Sequence, residues 1–357
     1  MSMPDSRRPR PLLVIYTGGT LGMQETPRGL APGGNIEARL ARALKGLPGG
    51  TLAELPAYEL LSLSNPIDSS AATPADWSRL AAIIAARYRD HPGIVVLHGT
   101  DTLAWSAASL AYQLQGIDRP VVLTGAMQPL EAPDSDAAGN VALALRFAAN
   151  PVLQEVAIAF GGRLLRGACA RKWHTRDAIA FESPNAPLLG ELIAGTARHY
   201  PEHGLAPEHG LAREEEIAPR FELPDYAPLG DGGVARIALW PGISTRQLAA
   251  WLNDPRLKGA LLEVWGAGNL PDDPALLEQL TRASAGGKLI VAISQCPHGT
   301  VRPGDYAAGQ GLTDAGVLAG GTMTPEAALT KLVHLLAQPL EDAERRRRFL
   351  APLVGER

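Results

Sequence analysis

Hydroxyl side chains and one carboxylate follow three successive strand-like runs in the first third of the chain. They are Thr17 and Thr20, Ser69 and Ser70, and Thr100, Asp101 and Thr102. A threonine hydroxyl is a poor nucleophile at neutral pH and needs a base to take its proton. A carboxylate beside a second threonine, together with a lysine from elsewhere, would supply such a relay. Lys172, in a later arginine-rich loop, is the candidate lysine, so the set is suited to nucleophilic catalysis.

Each of these groups also has a simpler interpretation. The turn Thr17-Gly18-Gly19-Thr20 could cradle a phosphate or be a plain polar turn, because adjacent glycines let backbone N–H groups approach a ligand. Thr100 and Asp101 could cap the helix that starts at Leu103. The residue types and spacings alone leave these alternatives open.

The signatures of several common catalytic sites are absent from the sequence. There is no G-x-x-x-x-G-K-[ST] for a P-loop and no G-x-G-x-x-G for a dinucleotide. Neither H-E-x-x-H nor paired C-x-x-C occurs, and G-x-S-x-G is missing. We therefore expect no cofactor, no metal and no serine nucleophile.

The composition indicates the cellular compartment of the protein and excludes some classes of binding partner. The 357 residues are 46% hydrophobic and 20% charged, as in soluble globular proteins, and the net charge of −4 gives no footprint for nucleic acid or an anionic membrane. Two cysteines, Cys169 and Cys296, make no disulfide framework, and no apolar run is long enough to span a bilayer. The five-residue apolar run after the arginine-containing N-terminus is too short for an export signal, so we expect a cytoplasmic protein.

Strand-like and helix-like segments alternate along the chain, which predicts a parallel, doubly wound sheet. The predicted strands are 12–16, 60–64, 93–97, 120–124, 156–160, 234–240, 260–264 and 289–293. The predicted helices are 36–47, 73–89, 103–115, 140–149, 244–252, 274–285 and 324–336. The carboxyl ends of parallel strands share one edge, so the hydroxyls and Asp101 should converge there.

A stretch rich in Pro, Gly, His and Glu divides this alternation in two. Within it the hexapeptide Pro-Glu-His-Gly-Leu-Ala occurs twice in tandem, at 201–206 and 207–212, as expected of slippage in an exposed linker. Its histidines, His203 and His209, have no further ligands at metal-site spacing. The predicted organisation is a disordered tail over 1–11, a larger catalytic α/β domain over 12–200, a linker over 201–233, and a smaller α/β domain over 234–357.

Two threonine motifs together resemble the bacterial L-asparaginase family, most closely its type I, cytoplasmic branch. The motifs are Tyr16-Thr17-Gly18-Gly19-Thr20-Leu21-Gly22-Met23 and Leu97-His98-Gly99-Thr100-Asp101-Thr102. Similar segments run over nearly the whole chain, at 68–70, 124–127, 163–167, 183–185, 268–269 and 323–331. The resemblance implies a double-displacement amidohydrolase that releases ammonia from L-asparagine.

The resemblance also implies catalytic roles. Thr20 would attack the side-chain amide carbon and form an acyl-threonine ester that water hydrolyses. Thr100, Lys172 and Asp101 would form the proton relay, and Asp101 would also face the substrate α-ammonium. The backbone N–H of Thr100 would help to stabilise the oxyanion. Thr17 would shape the turn rather than react.

Substrate binding and assembly follow by the same resemblance. Ser69, with Asp68 and Ser70 beside it, would hold the α-carboxylate, and the carbonyl of Ala126 would accept from the substrate amide. The family is homodimeric or homotetrameric, and Asn269 is a candidate for a contribution to a neighbour's site, or else part of a plain turn. A glutaminase-asparaginase, another small-amide hydrolase, and an ammonia-supplying or amide-binding module like that of tRNA-dependent amidotransferases are the alternatives.

Three positions depart from the pattern of the family. Leu30 stands ten residues after Thr20, where relatives commonly carry a tyrosine on the loop that closes the site, so that loop would act as a lid. Arg171 replaces a small hydroxyl residue found near an effector pocket in some type I enzymes. Glu263 stands where regulated type I enzymes carry an arginine that grips the carboxylate of asparagine, which predicts no cooperativity by that route.

Overall fold

The computed structural model describes residues 10–47, 55–205, 219–302 and 307–357. Most of the predicted tail (1–9) and the second copy of the hexapeptide lie outside the described residues. Pro11, at the end of that predicted tail, accepts a hydrogen bond from the His91 imidazole at 2.9 Å, so the chain is anchored to the domain where the first strand begins.

The strands and helices are numbered in chain order. The strands are β1 (Leu12–Tyr16), β2 (Met23–Thr26), β3 (Gly29–Pro32), β4 (Tyr58–Ser62), β5 (Ile94–Leu97), β6 (Val121–Thr124), β7 (Val156–Phe160), β8 (Arg163–Arg166), β9 (Arg171–Lys172), β10 (Phe181–Glu182), β11 (Gly190–Ile193), β12 (Thr196–His199), β13 (Val234–Ala238), β14 (Gly259–Val264), β15 (Leu289–Ser294) and β16 (Leu318–Ala319). The helices are α1 (Ile36–Lys45), α2 (Pro74–Arg87), α3 (Leu103–Gln113), α4 (Ala137–Ala148), α5 (Thr245–Leu252), α6 (Pro274–Ala285), α7 (Ala307–Asp314), α8 (Pro325–Leu336) and α9 (Asp342–Leu350).

The larger unit is built on one sheet with the order β12-β11-β8-β7-β6-β5-β1-β4 in the described part of the chain. Strands β4, β1, β5, β6 and β7 are parallel. Every residue of β1 is buried, because helices cover both faces: α2 and α3 pack on one face and α1 and α4 on the other. The predicted doubly wound, mainly parallel architecture is confirmed.

One edge of this sheet is antiparallel, which the strand-helix alternation does not predict. The two-residue turn Gly161-Gly162 joins β7 directly to β8, and a connection that short permits only antiparallel pairing. Strands β11 and β12 continue the edge in the same manner.

The smaller unit carries the parallel sheet β13-β14-β15-β16. Leu262 and Ile290 face α5 and α6, whereas Leu261 and Val291 face α8 and α9. The two-residue period of the strands therefore divides the apolar side chains between two helical layers. The two predicted α/β units are present, and their exact boundaries stay a prediction.

Helix α8 also packs on α3 and joins the two units. The rings of Tyr112 and His334 stack there with centroids 6.1 Å apart. The last part of the predicted linker is not an exposed spacer: Tyr226 is 5% exposed, and the Glu222 carboxylate accepts from His334 and Arg348. Partial burial would raise the pKa of Glu222, but these hydrogen bonds outweigh it and lower that pKa to about 2.

Residues 351–357, termed here the C-terminal strap, run back across the larger unit. Val354 lies in the core beside α3, and the carbonyl of Gly355 accepts from Arg166 and Cys169. The Glu356 carboxylate accepts from the N–H groups of Leu353 and Val354 and forms an ion pair with Lys331 of α8 in which both side chains are fully buried. The strap thus fastens the second unit to the first.

Loss of this ion pair is expected to destabilise the protein strongly. Lys331→Met leaves the buried Glu356 carboxylate without a counter-charge, so we expect the free energy of unfolding to fall by about 3 kcal/mol. Urea unfolding followed by circular dichroism measures it. The double variant Lys331→Met/Glu356→Gln should be more stable than Lys331→Met alone, and equal stability of Lys331→Met and the wild type would contradict the prediction.

Among the described residues no helix combines the length and the apolar character needed to cross a bilayer.

Candidate active site

The turn after β1 lies directly against the loop after β5. Gly18 and Gly19 have φ values of 126° and 89°, which a residue with a side chain rarely adopts. A Cβ atom at Gly19 would lie 2.5 Å from the backbone nitrogen of Gly99, so only glycine permits this approach. The two loops that carry Thr20 and Thr100 are therefore neighbours, as predicted.

The two threonines of the glycine turn differ in their surroundings. Thr17 is fully buried, and its hydroxyl donates to the carbonyl of Leu97 at 2.9 Å. Thr20 begins a short 3₁₀ turn, Thr20–Gly22, and is partly exposed. Thr17 thus fastens β1 to β5, and Thr20 is the more accessible of the two threonines.

Lys172 on β9 reaches both polar side chains of the loop after β5. Its Nζ donates to Thr100 Oγ1 at 2.9 Å and to Asp101 Oδ1 at 2.8 Å. Thr100 is 6% exposed, whereas the Asp101 side chain is 62% exposed. The predicted group of Thr100, Asp101 and Lys172 is a single hydrogen-bonded triad.

The alternative in which Thr100 and Asp101 cap the following helix is wrong. Helix α3 begins after Thr102, and no side chain caps it. The Thr102 hydroxyl instead donates to the carbonyl of Ser69 at 2.8 Å. This bond ties the loop after β4 to the loop after β5.

Ser69 and Ala126 lie in loops attached to the same edge of the sheet. Ser69 is buried, and the backbone N–H of Ile67, two residues before it, donates to the carbonyl of Thr17. Asp68 and Ser70 are exposed, and the Asp68 carboxylate accepts from the Ser70 hydroxyl at 2.9 Å. Ala126, 1% exposed, follows β6, which pairs with β5.

Three residues that the sequence analysis missed hold these loops in place. The His98 imidazole is buried between the carbonyl of Gly99 (Nδ1, 2.8 Å) and the hydroxyl of Ser106 (Nε2, 3.0 Å). Burial lowers the pKa of His98, so the ring is neutral and Nδ1 donates to the carbonyl. Asp136 accepts from the backbone N–H of Met127, and Asn140 donates to the carbonyl of Gly125.

The signal that could have identified Asp136 and Asn140 was their spacing. They lie four residues apart at the start of helix α4, which begins at Ala137 and not at residue 140 as predicted. Side chains at that spacing share one helix face, and here that face meets the loop after β6.

Two other predicted positions lie away from this triad. Leu30 is 48% exposed on β3 of the hairpin β2–β3, an element that the sequence analysis did not predict as strands. Asn269 follows β14 and closes a turn in which its N–H donates to the carbonyl of Trp265 at 2.8 Å. The turn interpretation of Asn269 is correct, and its contribution to a neighbouring subunit stays a prediction.

Glu263 and Arg171 belong to a cluster of charged groups in the second unit and beside it. The Glu263 carboxylate accepts from the guanidinium of Arg236. Arg171 lies 3.8 Å from Glu326, which is 7% exposed and whose pKa is raised by burial. The cluster thus pairs each of the two carboxylates with one guanidinium group.

Over the described ranges, no three His, Cys, Asp or Glu side chains are grouped as a metal site would need.

Two family models match the chain. "Asparaginase, N-terminal" matches residues 11–203, and "Glutaminase/Asparaginase C-terminal domain" matches residues 233–349. The chain is 37% identical to L-asparaginase 1 of Escherichia coli over 97% of each chain. It is 36% identical to the 60 kDa lysophospholipase of Mus musculus over 97% of this chain and 62% of the mouse protein. The crystal structure of L-asparaginase I from Vibrio cholerae has a TM-score of 0.85 at 34% identity and covers 98% of this chain and 99% of its own.

Proposed function

The chain belongs to the asparaginase family, and we propose on that premise that it hydrolyses the side-chain amide of L-asparagine to L-aspartate and ammonia. The observation that carries this proposal is the triad of Lys172, Thr100 and Asp101 beside the turn of Thr20. Amide hydrolysis needs a nucleophile, a path for its proton and a place for the oxyanion, and these residues supply all three.

In the proposed mechanism Thr20 is the nucleophile of the first displacement. Its hydroxyl attacks the amide carbon, the hydroxyl proton passes to the leaving nitrogen, the C–N bond breaks, ammonia leaves, and an acyl-threonine ester remains. A water molecule then attacks the ester carbonyl and releases aspartate and free Thr20. Leu30 has no proton-accepting group, so the hairpin that carries it excludes water rather than activating Thr20.

The triad serves the second displacement and the charge of the substrate. In this step the Thr100 hydroxyl takes a proton from the attacking water while it passes its own proton to the leaving oxygen of Thr20, and the positive charge of Lys172 makes that proton easier to lose. Asp101 forms an ion pair with Lys172 at 2.8 Å, and its exposed carboxylate also receives the α-ammonium of the substrate. The backbone N–H of Thr100 stabilises the oxyanion.

The remaining contacts select an α-amino acid amide. Ser69, with Asp68 and Ser70 beside it, binds the α-carboxylate through its hydroxyl and adjacent backbone. The carbonyl of Ala126 accepts from the amide nitrogen, and its loop is held by the hydrogen bond that Asp136 accepts from Met127 and by the one that Asn140 donates to Gly125. Glutamine differs by one methylene, which is worth about 1–3 kcal/mol of discrimination.

Ammonia release from L-asparagine and L-glutamine, measured side by side at equal concentrations, tests this function. We expect turnover of asparagine, and a glutamine rate equal to it would identify a glutaminase-asparaginase. Absence of ammonia from asparagine would overturn the proposal and favour another amide substrate or a binding role.

The dependence of rate on asparagine concentration is expected to be hyperbolic. An effector carboxylate near Glu263 would meet the carboxylate of that residue, and Arg236 is already paired with Glu263. We therefore expect a Hill coefficient of about 1, because like charges close together repel. A sigmoidal curve that is abolished by changing Glu263 or Cys296 would contradict this.

Location in the cytoplasm and assembly as a homodimer or homotetramer stay predictions.

A further inference from the structure

We propose that Arg39, acting with Glu131, is a positioning residue that holds the nucleophile turn and the hairpin β2–β3 in the reactive arrangement. The proposal rests on the function assigned above to Thr20. It concerns a side chain on α1 that carries no sequence motif and takes no part in the triad.

The Arg39 guanidinium lies at the junction between the nucleophile turn and the hairpin. It is 7% exposed, and its Nη1 donates to the carbonyl of Gly22 at 2.8 Å while Nη2 donates to that of Met23 at 3.0 Å. Gly22 ends the 3₁₀ turn that Thr20 begins, and Met23 begins β2. One side chain thus binds two adjacent carbonyls, the first at the end of the turn that Thr20 begins and the second at the start of the hairpin.

Glu131 completes a bidentate pair with the same guanidinium. Its carboxylate oxygens lie 2.6 Å from Nε and 2.6 Å from Nη2 of Arg39. The hydrogen bond from Arg39 lowers the pKa of Glu131, so the pair is charged at neutral pH. Glu131 belongs to the segment after Ala126, so the pair connects the hairpin base to the loop that accepts the substrate amide.

The hairpin has little else to hold it. None of the residues of β2 or β3 is buried, so apolar packing does not fix its angle to the sheet. Its base is tied by the Gly33 N–H to the carbonyl of Gly22 and by the Leu130 N–H to the carbonyl of Leu21. The two charge-assisted bonds from Arg39 are the stronger ties, because a charged donor roughly doubles the strength of a hydrogen bond.

Arg39 affects the reaction by positioning the nucleophile and not by transferring a proton. An arginine keeps its proton at any working pH, so Arg39 does not act as an acid or base. A shift of the nucleophile by about 1 Å costs up to about 100-fold in rate. Loss of the pair should therefore lower kcat, and should also open the hairpin at its exposed tip, where Arg28 lies.

The test uses Arg39→Met, Arg39→Lys and Glu131→Gln, with Glu155→Gln as the matched control. Glu155 also pairs with a buried arginine, Arg166, whose Nε lies 2.8 Å from its carboxylate, but Glu155 precedes the amino end of β7 whereas the hairpin follows the carboxyl end of β1. We expect Arg39→Met and Glu131→Gln to lower kcat on asparagine by about tenfold or more, and Arg39→Lys to be intermediate. Glu155→Gln should lower the melting temperature and leave kcat per folded molecule unchanged.

A second readout needs no substrate and so separates this proposal from the proposed function. Tryptic cleavage after Arg28, followed by mass spectrometry, should be at least about threefold faster in Arg39→Met and Glu131→Gln than in the wild type or Glu155→Gln. Unchanged cleavage together with kcat within twofold of the wild type would overturn the positioning role. If the wild type does not hydrolyse asparagine but cleavage responds as expected, the anchoring stands and the assigned reaction fails.

Discussion

Thr20→Ala is expected to lower kcat for asparagine by at least about 10⁴-fold, because the variant removes the hydroxyl that forms the acyl intermediate. That factor corresponds to about 5 kcal/mol of activation free energy. Thr17 cannot substitute, since its hydroxyl is buried and bonded to the carbonyl of Leu97. Ammonia release under substrate saturation measures the loss.

Two variants serve as controls for this result. Thr20→Ser keeps a hydroxyl and should retain activity within about 100-fold of the wild type. Thr17→Val removes a hydroxyl from the same turn, so it should lower stability while leaving the nucleophile in place. If Thr20→Ala keeps most of the activity, Thr20 is not the nucleophile and the proposed mechanism is wrong.

Lys172→Met is expected to lower kcat by about 10³-fold, within the range for loss of a general acid–base group. The variant removes both hydrogen bonds of the triad, to Thr100 and to Asp101. Without the ammonium group the Thr100 hydroxyl is harder to deprotonate, so hydrolysis of the ester should slow most. A burst of ammonia followed by slow turnover, seen in stopped-flow measurements, would locate the defect in that step.

Lys172→Arg distinguishes the two roles of the lysine. Arginine retains the positive charge but does not release a proton near neutral pH. Activity as low as that of Lys172→Met would indicate that Lys172 itself moves a proton, whereas partial activity would indicate that its charge suffices. Lys288→Met is the control, since Lys288 donates to the carbonyls of Asp254 and Leu257 in the second unit and should not affect kcat.

The parts of this site that the sequence predicts are those with local signals. The run 12–16 is wholly apolar and buried, and the glycine turn after it has the strained backbone that its residues suggest. The parallel pairing of β1 with β5 then follows from the alternation of strands and helices, and it brings Thr20 and Thr100 together.

The parts that it did not predict depend on contacts between distant segments. Apolar and polar side chains do not alternate over residues 23–32, because the hairpin β2–β3 buries no side chain. The sequence pattern therefore did not predict its two strands. By sequence, Arg39 is a polar residue of an amphipathic helix. Its burial depends on contacts such as the one with Glu131, which lies 92 residues away in the sequence. The antiparallel edge formed by β8, β11 and β12 was not predicted from the sequence, because these strands are short and half polar.

The C-terminal strap sets an order of events for a nascent chain. The bonds from Arg166 and Cys169 to Gly355 join residues 189 and 186 positions apart, so the polypeptide between them must be synthesised before they form. Both sheets have their strands by then, and domains generally fold as units as they emerge. The buried pair of Lys331 and Glu356, and the packing of Val354 beside α3, can therefore form only after both units have been synthesised.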